Sequence, residues 1–167
     1  MTPEFSLYTD GSCSSRDGLG GYNAILLDNR THERYALFGS SNYTSVPRQE
    51  FLALLHGLQR IFELLEWKTE KDAAKGAVSG ISVKWFCDRE DLVLSVDQKR
   101  SGYKRRKCRD LWYQFEYYEK FIRVIAVKVP RNTDPYQTLA DRVAGEQREL
   151  QKGYLEKCRL SKFQVLK

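Results

Sequence analysis

A chain of 167 residues, 41% hydrophobic and 13% aromatic, can close one sizeable core and is too short to expect two. Twenty-eight Lys and Arg against 22 Asp and Glu leave a formal charge of +6, which favours an acidic partner, whether nucleic acid, membrane or protein. Cys13, Cys87, Cys108 and Cys158 are widely spaced and form no C-x-x-C pair, so neither a structural zinc knot nor a dense secreted disulfide framework is indicated.

The bland setting for such cysteines is reducing cytosol, and a cytoplasmic protein is expected. No apolar run nears the roughly 20 residues that cross a bilayer, and MTPEFSLYTDG lacks the basic and long apolar regions of a signal peptide. A soluble protein with no membrane partner is therefore expected, a monomer rather than an obligate oligomer.

FSLY, Phe5 to Tyr8, begins a strand, and GYNAILLDN from Gly21 resumes strand content after a turn rich in Gly, Ser and Asp. RYALFGSS, Arg34 to Ser41, supplies a third strand, making an antiparallel meander. From Pro47 the period changes. Phe51, Leu54, Leu55, Leu58, Ile61, Phe62 and Leu65 recur at helical spacing, and Pro47 sits where a helix start tolerates its missing donor. TEKDAAKGAVSG reads as a surface loop or short insertion. ISVKWFCD, Ile81 to Asp88, is a strand, and REDLVLSV turns into a short helix. DLWYQFEYYEKF from Asp110 is a second long helix, VIAVKVP from Val124 a strand stopped by Pro130, and TLADRVAGEQRELQKGYLEKC a last helix that frays near Gly153. The order βββαβαβα implies an α/β fold, a mixed five-stranded sheet with flanking helices and right-handed crossovers. The domain spans 1–152, followed by a basic extension over 153–167.

Asp10 and Asp88 each follow the apolar end of a strand, where open sheets place ligands. Glu50 lies in the first turn of the first long helix, and Asp141 near the start of the last. Taken singly, each has a plain alternative as a turn former or a partner of a helix dipole. Jointly, four carboxylates at element ends, without His or Cys support, suit Mg2+ or Mn2+ better than zinc. Two such ions about 4 Å apart activate water and stabilise a leaving oxygen in phosphodiester hydrolysis.

The motifs around these acids resemble the ribonuclease H family. YTDGSC followed by GLGGYNAILL resembles its first strand, metal-binding Asp and glycine-bearing turn; RQEFLALLHGL resembles the motif around Glu50, FCDREDLVLSV that around Asp88, and LADRVA that around Asp141. With DLW at Asp110 to Trp112, the matches run in family order across about residues 5 to 150. The resemblance implies a ribonuclease H-like fold of type 1, and an endoribonuclease that cleaves the RNA strand of RNA:DNA hybrids using two Mg2+ ions held by Asp10, Glu50, Asp88 and Asp141. It also implies that Gly11 and Cys13 approach the RNA backbone and that Arg48, in the second motif, lies on the substrate path.

The chain departs from the family at several points. Val46 and Pro47 stand where paired asparagines often track the hybrid, and Glu90 stands where a glutamine is common, adding negative charge beside the phosphate path. The loop VPRNTDPYQTLAD has no His to exchange protons; it offers Arg131, Asn132 and Asp134 instead, while His32 falls in a turn and His56 in the long helix. Lys99, Arg100, Lys104, Arg105, Arg106, Lys107 and Arg109, with Tyr103 among them, form the densest basic tract, at the place where some relatives carry a basic substrate-binding handle; a modest loop is expected, supplying phosphate affinity without base recognition. The alternatives are a nuclease of the same fold acting on structured DNA or other RNA, and a nucleic-acid-binding domain with weak or no turnover.

Overall fold

A computed structural model describes residues 2–14, 16–42, 44–130 and 133–165, with side chains described through residue 153. Strands β1 (Phe5–Cys13), β2 (Gly20–Asp28) and β3 (Glu33–Ser41) form the expected antiparallel meander. β4 (Ser82–Cys87) lies parallel to β1, and β5 (Arg123–Lys128) parallel to β4, giving the sheet order β3-β2-β1-β4-β5. β1 is thus the central strand and is buried on both faces: Phe5, Leu7 and Thr9 alternate with Tyr8 and Asp10. It also runs further than its apolar residues indicate, because Gly11 to Cys13 continue the ladder with Gly20 to Tyr22.

Helix α1 (Val46–Leu64) starts where Ser45 accepts a hydrogen bond from the Arg48 N–H and Pro47 follows in the first turn. Its buried stripe of Phe51, Leu54, Leu58 and Ile61 packs with Leu7, Leu26 and Trp85, each such side chain contributing roughly 1.5–3 kcal/mol against its ordering entropy. The opposite face is covered by α6 (Pro135–Val165), whose Ala140 and Tyr136 join Tyr8, Ile25 and Phe86; the Tyr8 and Phe86 rings stack at 4.5 Å. α6 lies close on β2 because Gly21 has no side chain: a Cβ there would meet the Ala144 carbonyl oxygen at 2.5 Å and the Arg148 nitrogen at 2.6 Å. It runs through Gly153 to Val165 instead of ending near that glycine.

The segment expected as a loop after α1 contains a helix, α2 (Glu70–Ala77). Thr69 Oγ1 accepts from the Asp72 N–H while Asp72 accepts from the Thr69 N–H, so both ends of a capping box are satisfied, and Ala73 is buried against the core. α3 (Glu90–Val96) follows β4 as expected, and the basic tract forms one turn, α4 (Gln98–Ser101), and a loop before α5 (Arg109–Glu119). No helix among the described residues is long and apolar enough to cross a membrane.

Candidate active site

The parallel pairing of β1 with β4 ends at Tyr8 opposite Phe86, so two residues further on Asp10, still within β1, and Asp88, just past the end of β4, stand on neighbouring strands side by side. Glu50 reaches them because α1 begins directly against β1. A Cβ on Gly11 would fall 2.7 Å from the Gln49 carbonyl carbon and closer still to the Glu50 nitrogen, so only glycine permits this approach. α6 brings the fourth acid: Asp141 is exposed at the rim, with its carboxylate within hydrogen-bonding reach of Asp10. The structure therefore brings Glu50, Asp88 and Asp141 near Asp10, while the donor atoms that lie within 4.8 Å of one another are those of Glu50, Asp88 and Cys87.

Their electrostatics are those of a cation site. Asp10 is 3% exposed and its carboxyl is pushed up to about 7, chiefly by burial and further by the charges of Asp88 and Asp141. Burial, then the Asp10 charge, raises Glu50 well above the usual carboxylate range. Asp10 Oδ1 accepts from the Gly11 N–H at 2.9 Å, but among the described residues its buried Oδ2 has no hydrogen-bond partner; the nearby carboxyls of Glu50 and Asp141 can donate to Asp10 only while protonated. A hard divalent cation satisfies an orphaned acceptor amid crowded carboxylates, so the donor set fits Mg2+ or Mn2+.

Cys87 is the neighbour that sequence reasoning missed. Its thiol donates to Glu50 Oε2 at 3.9 Å, and its sulfur, Glu50 and Asp88 offer donor atoms all within 4.8 Å of one another. The alternation of Val83, Trp85 and Cys87 toward the core was the signal for it, since it aims the sulfur inward beside Asp88.

The basic residues divide into two groups. Lys99, Arg100, Lys104, Arg106, Lys107 and Arg109 are exposed. Arg105 is a correction. Its guanidinium is buried, donating to the Ser95 and Val96 carbonyls, pairing with Glu116 and Glu119, and lying over the Trp112 ring at 4.6 Å, so it anchors the loop to α5 and is not available to substrate. Between this loop and α1 is a cavity of about 490 Å3, lined by Arg89, Lys104, Arg106 and Lys107 over Phe51 and Trp112. Arg48 forms a bidentate pair with Asp110 at 2.6 and 3.1 Å, which offsets its charge. Cys13 is half-buried and donates to the Thr44 carbonyl at 3.4 Å. It lines a smaller cleft with Arg148 and Lys152, and Arg148, which donates to Ser12 Oγ at 2.9 Å, was not singled out from the sequence although it lies two helical turns from Asp141.

Among the loop residues, Asp134 caps α6, accepting from the Tyr136 and Gln137 N–H groups ahead of Pro135, while Arg131 and Asn132 lie outside the described residues. His56 stacks on Tyr22 at 4.9 Å and burial lowers its pKa, so it is a packing imidazole; His32 is an exposed turn residue with φ of 63°.

The RNase H family model matches residues 2–149. The chain is 33% identical over 125 residues to a ribonuclease H of Dinoroseobacter shibae, covering 68% of this chain and 71% of that protein. It is 28% identical over 143 residues to a ribonuclease H of Acetivibrio thermocellus, covering 85% and 92%. LC11-RNase H1, solved in complex with an RNA/DNA hybrid, superposes with a TM-score of 0.67 at 16% identity over 87% of this chain and 96% of that one. A family match over residues 2–149, which contains every strand of the described sheet, places this protein in the RNase H family.

Proposed function

We propose that this protein is a divalent-metal-dependent endoribonuclease that hydrolyses the RNA strand of RNA:DNA hybrids. The observation that carries the reading is the buried, donor-less Asp10 Oδ2 at the meeting point of Glu50, Asp88 and Asp141. Two bound Mg2+ or Mn2+ ions would supply an activated water and stabilise the leaving oxygen of the phosphodiester. Asp10 and Glu50 fix the inner wall of the site, since both are set by the β1 contact with α1, and Asp88 and Asp141 close it from β4 and α6. Gly11 and Cys13 lie on the path from that wall toward the small cleft, while the six exposed cations of the tract hold backbone phosphates without reading bases. The hybrid's groove shape and 2′-hydroxyls are what such a surface would discriminate, and a relative of the same fold is solved with a hybrid bound.

The same reading takes 1–152 as the catalytic unit, supported by a family match ending at residue 149, with 153–167 as a basic extension, and takes the protein to work as a cytoplasmic monomer. The test is single-turnover cleavage of hybrid, duplex DNA, duplex RNA and branched DNA with Mg2+ or Mn2+, comparing the parent with Asp10→Asn at matched folded fraction. Metal-dependent cleavage of the hybrid RNA strand is expected from the parent alone. A parent that binds hybrid yet cleaves no better than the variant would make this a nucleic-acid-binding domain, and preferential cleavage of branched DNA or duplex RNA would reassign the substrate.

A further inference from the structure

We propose that the acidic centre also binds a thiophilic divalent cation of the zinc class, through Cys87 Sγ together with Glu50 and Asp88. This rests on the reading of Glu50 and Asp88 as cation ligands, and not on hydrolysis. Their three donor atoms lie within 4.8 Å of one another, and Sγ is 3.9 Å from Glu50 Oε2. Metal–sulfur and metal–oxygen bonds of about 2.3 and 2.1 Å, spread at a near-tetrahedral angle, separate sulfur from oxygen by roughly 3.6–3.9 Å, a spacing that Cys87 Sγ and Glu50 Oε2 already have. A second observation points to a ligand beside the same group: Asp10, 3% exposed and within hydrogen-bonding reach of Glu50, carries a partnerless Oδ2.

The Arg89 backbone N–H points at Cys87 Sγ at 3.4 Å, whereas burial and then the Glu50 charge favour the protonated thiol, so the incoming cation itself displaces the proton. Cys13, by contrast, donates its thiol to backbone carbonyls and has no carboxylate in a shared donor set. Mg2+ takes oxygen donors and gains nothing from a thiolate, whereas zinc and cadmium favour sulfur. As the sulfur–metal bond forms, the Cys87 proton passes to water. Because Glu50 and Asp88 serve both kinds of ion, a thiophilic cation excludes the hard one, and the centre is blocked by zinc-class metals that compete with Mg2+.

The test uses the full metal-free chain with Co2+ and Cd2+ as probes. Co2+ is expected to give a near-ultraviolet sulfur-to-metal charge-transfer band in the parent and none in Cys87→Ser, whose Cd2+ affinity falls at least about tenfold. A variant in which Cys13, Cys108 and Cys158 are all replaced by Ser keeps Cys87 as its one thiol and should retain the band; this arm decides the matter if Cys87→Ser fails to fold. No band in the parent, a band that survives Cys87→Ser, or a band lost from the single-thiol variant each overturns the proposal. Mg2+-dependent hybrid cleavage by the same parent separates the two readings: cleavage without a band removes only the Cys87 site, and a band without cleavage supports that site while removing the hydrolase assignment.

Discussion

Replacing Asp10 with asparagine is expected to stabilise the metal-free protein at neutral and higher pH. The Asp10 carboxyl is held at about 7 in place of its ordinary 3.8, mainly by burial, so the folded state retains a proton that the unfolded chain releases. Stability from this group is fully present below pH ~4, falls as pH rises toward 7, and stays low above it. At about 1.4 kcal/mol per tenfold change in proton affinity, holding the charge at pH 8 costs up to roughly 4 kcal/mol. Asparagine is neutral throughout. It keeps an oxygen for the Gly11 N–H and turns the donor-less Oδ2 position into an amide that can donate to Glu50 or Asp141. Because Glu50 shares the same burden, we expect about 2 kcal/mol to be realised, a Tm rise of roughly 4–8 °C for a domain of this size. The assay is thermal or urea unfolding in chelator at pH 5 and pH 8, with the gap between parent and variant widening at the higher pH. Excess Mg2+ at about 100 times its Kd should add roughly 2.7 kcal/mol to the parent and much less to the variant, closing or reversing the order. A variant no more stable than the parent at pH 8 in chelator, or a gap of the same size at both pH values, would refute the electrostatic account.

Gly11→Ala should lose about 2–3 kcal/mol in urea unfolding and at least about 100-fold in kcat, because its methyl group must push α1 and Glu50 away from β1. Neutralising Lys99, Arg100, Lys104, Arg106 and Lys107 together should weaken hybrid capture and lower the slope of log affinity against log salt by roughly 0.8 for each phosphate no longer neutralised, with the single-turnover rate at saturation unchanged. Arg105→Ala should behave differently: denaturation should show a loss of about 2–4 kcal/mol from an unpaired Ser95 and Val96 backbone and an emptied space over Trp112, with hybrid affinity of the folded fraction little altered.

The element order and the mixed sheet were legible in the sequence because they rest on local patterns: alternation in β1 and β4 and the 3.6 period of α1. The features that escaped depend on pairing across distance or on less familiar local chemistry. The T-x-x-D of Thr69 and Asp72 caps α2 as well as the more familiar Glu would, yet the polar run around it reads as loop. Arg105 looks like its basic neighbours until α5 folds and sets Glu116 and Glu119, one turn apart, in front of it. Cys87 reads as an ordinary core cysteine until α1 lays Glu50 against it, a contact between residues 37 positions apart.

The Gln137 side chain donates its Nε2–H to the Thr9 carbonyl at 2.9 Å, across 128 positions of sequence. The peptide that carries Asp10 is therefore tied down by the same helix that delivers Asp141. During synthesis from the N-terminus, β1, β2, β3, α1 and β4 can assemble around Asp10, Glu50 and Asp88 while this carbonyl still lacks its partner. Only when α6 emerges are the fourth acid and the tether added in one event. A growing chain paused on its messenger would carry an incomplete centre, and nucleolytic competence would arrive late, as a property of the finished domain.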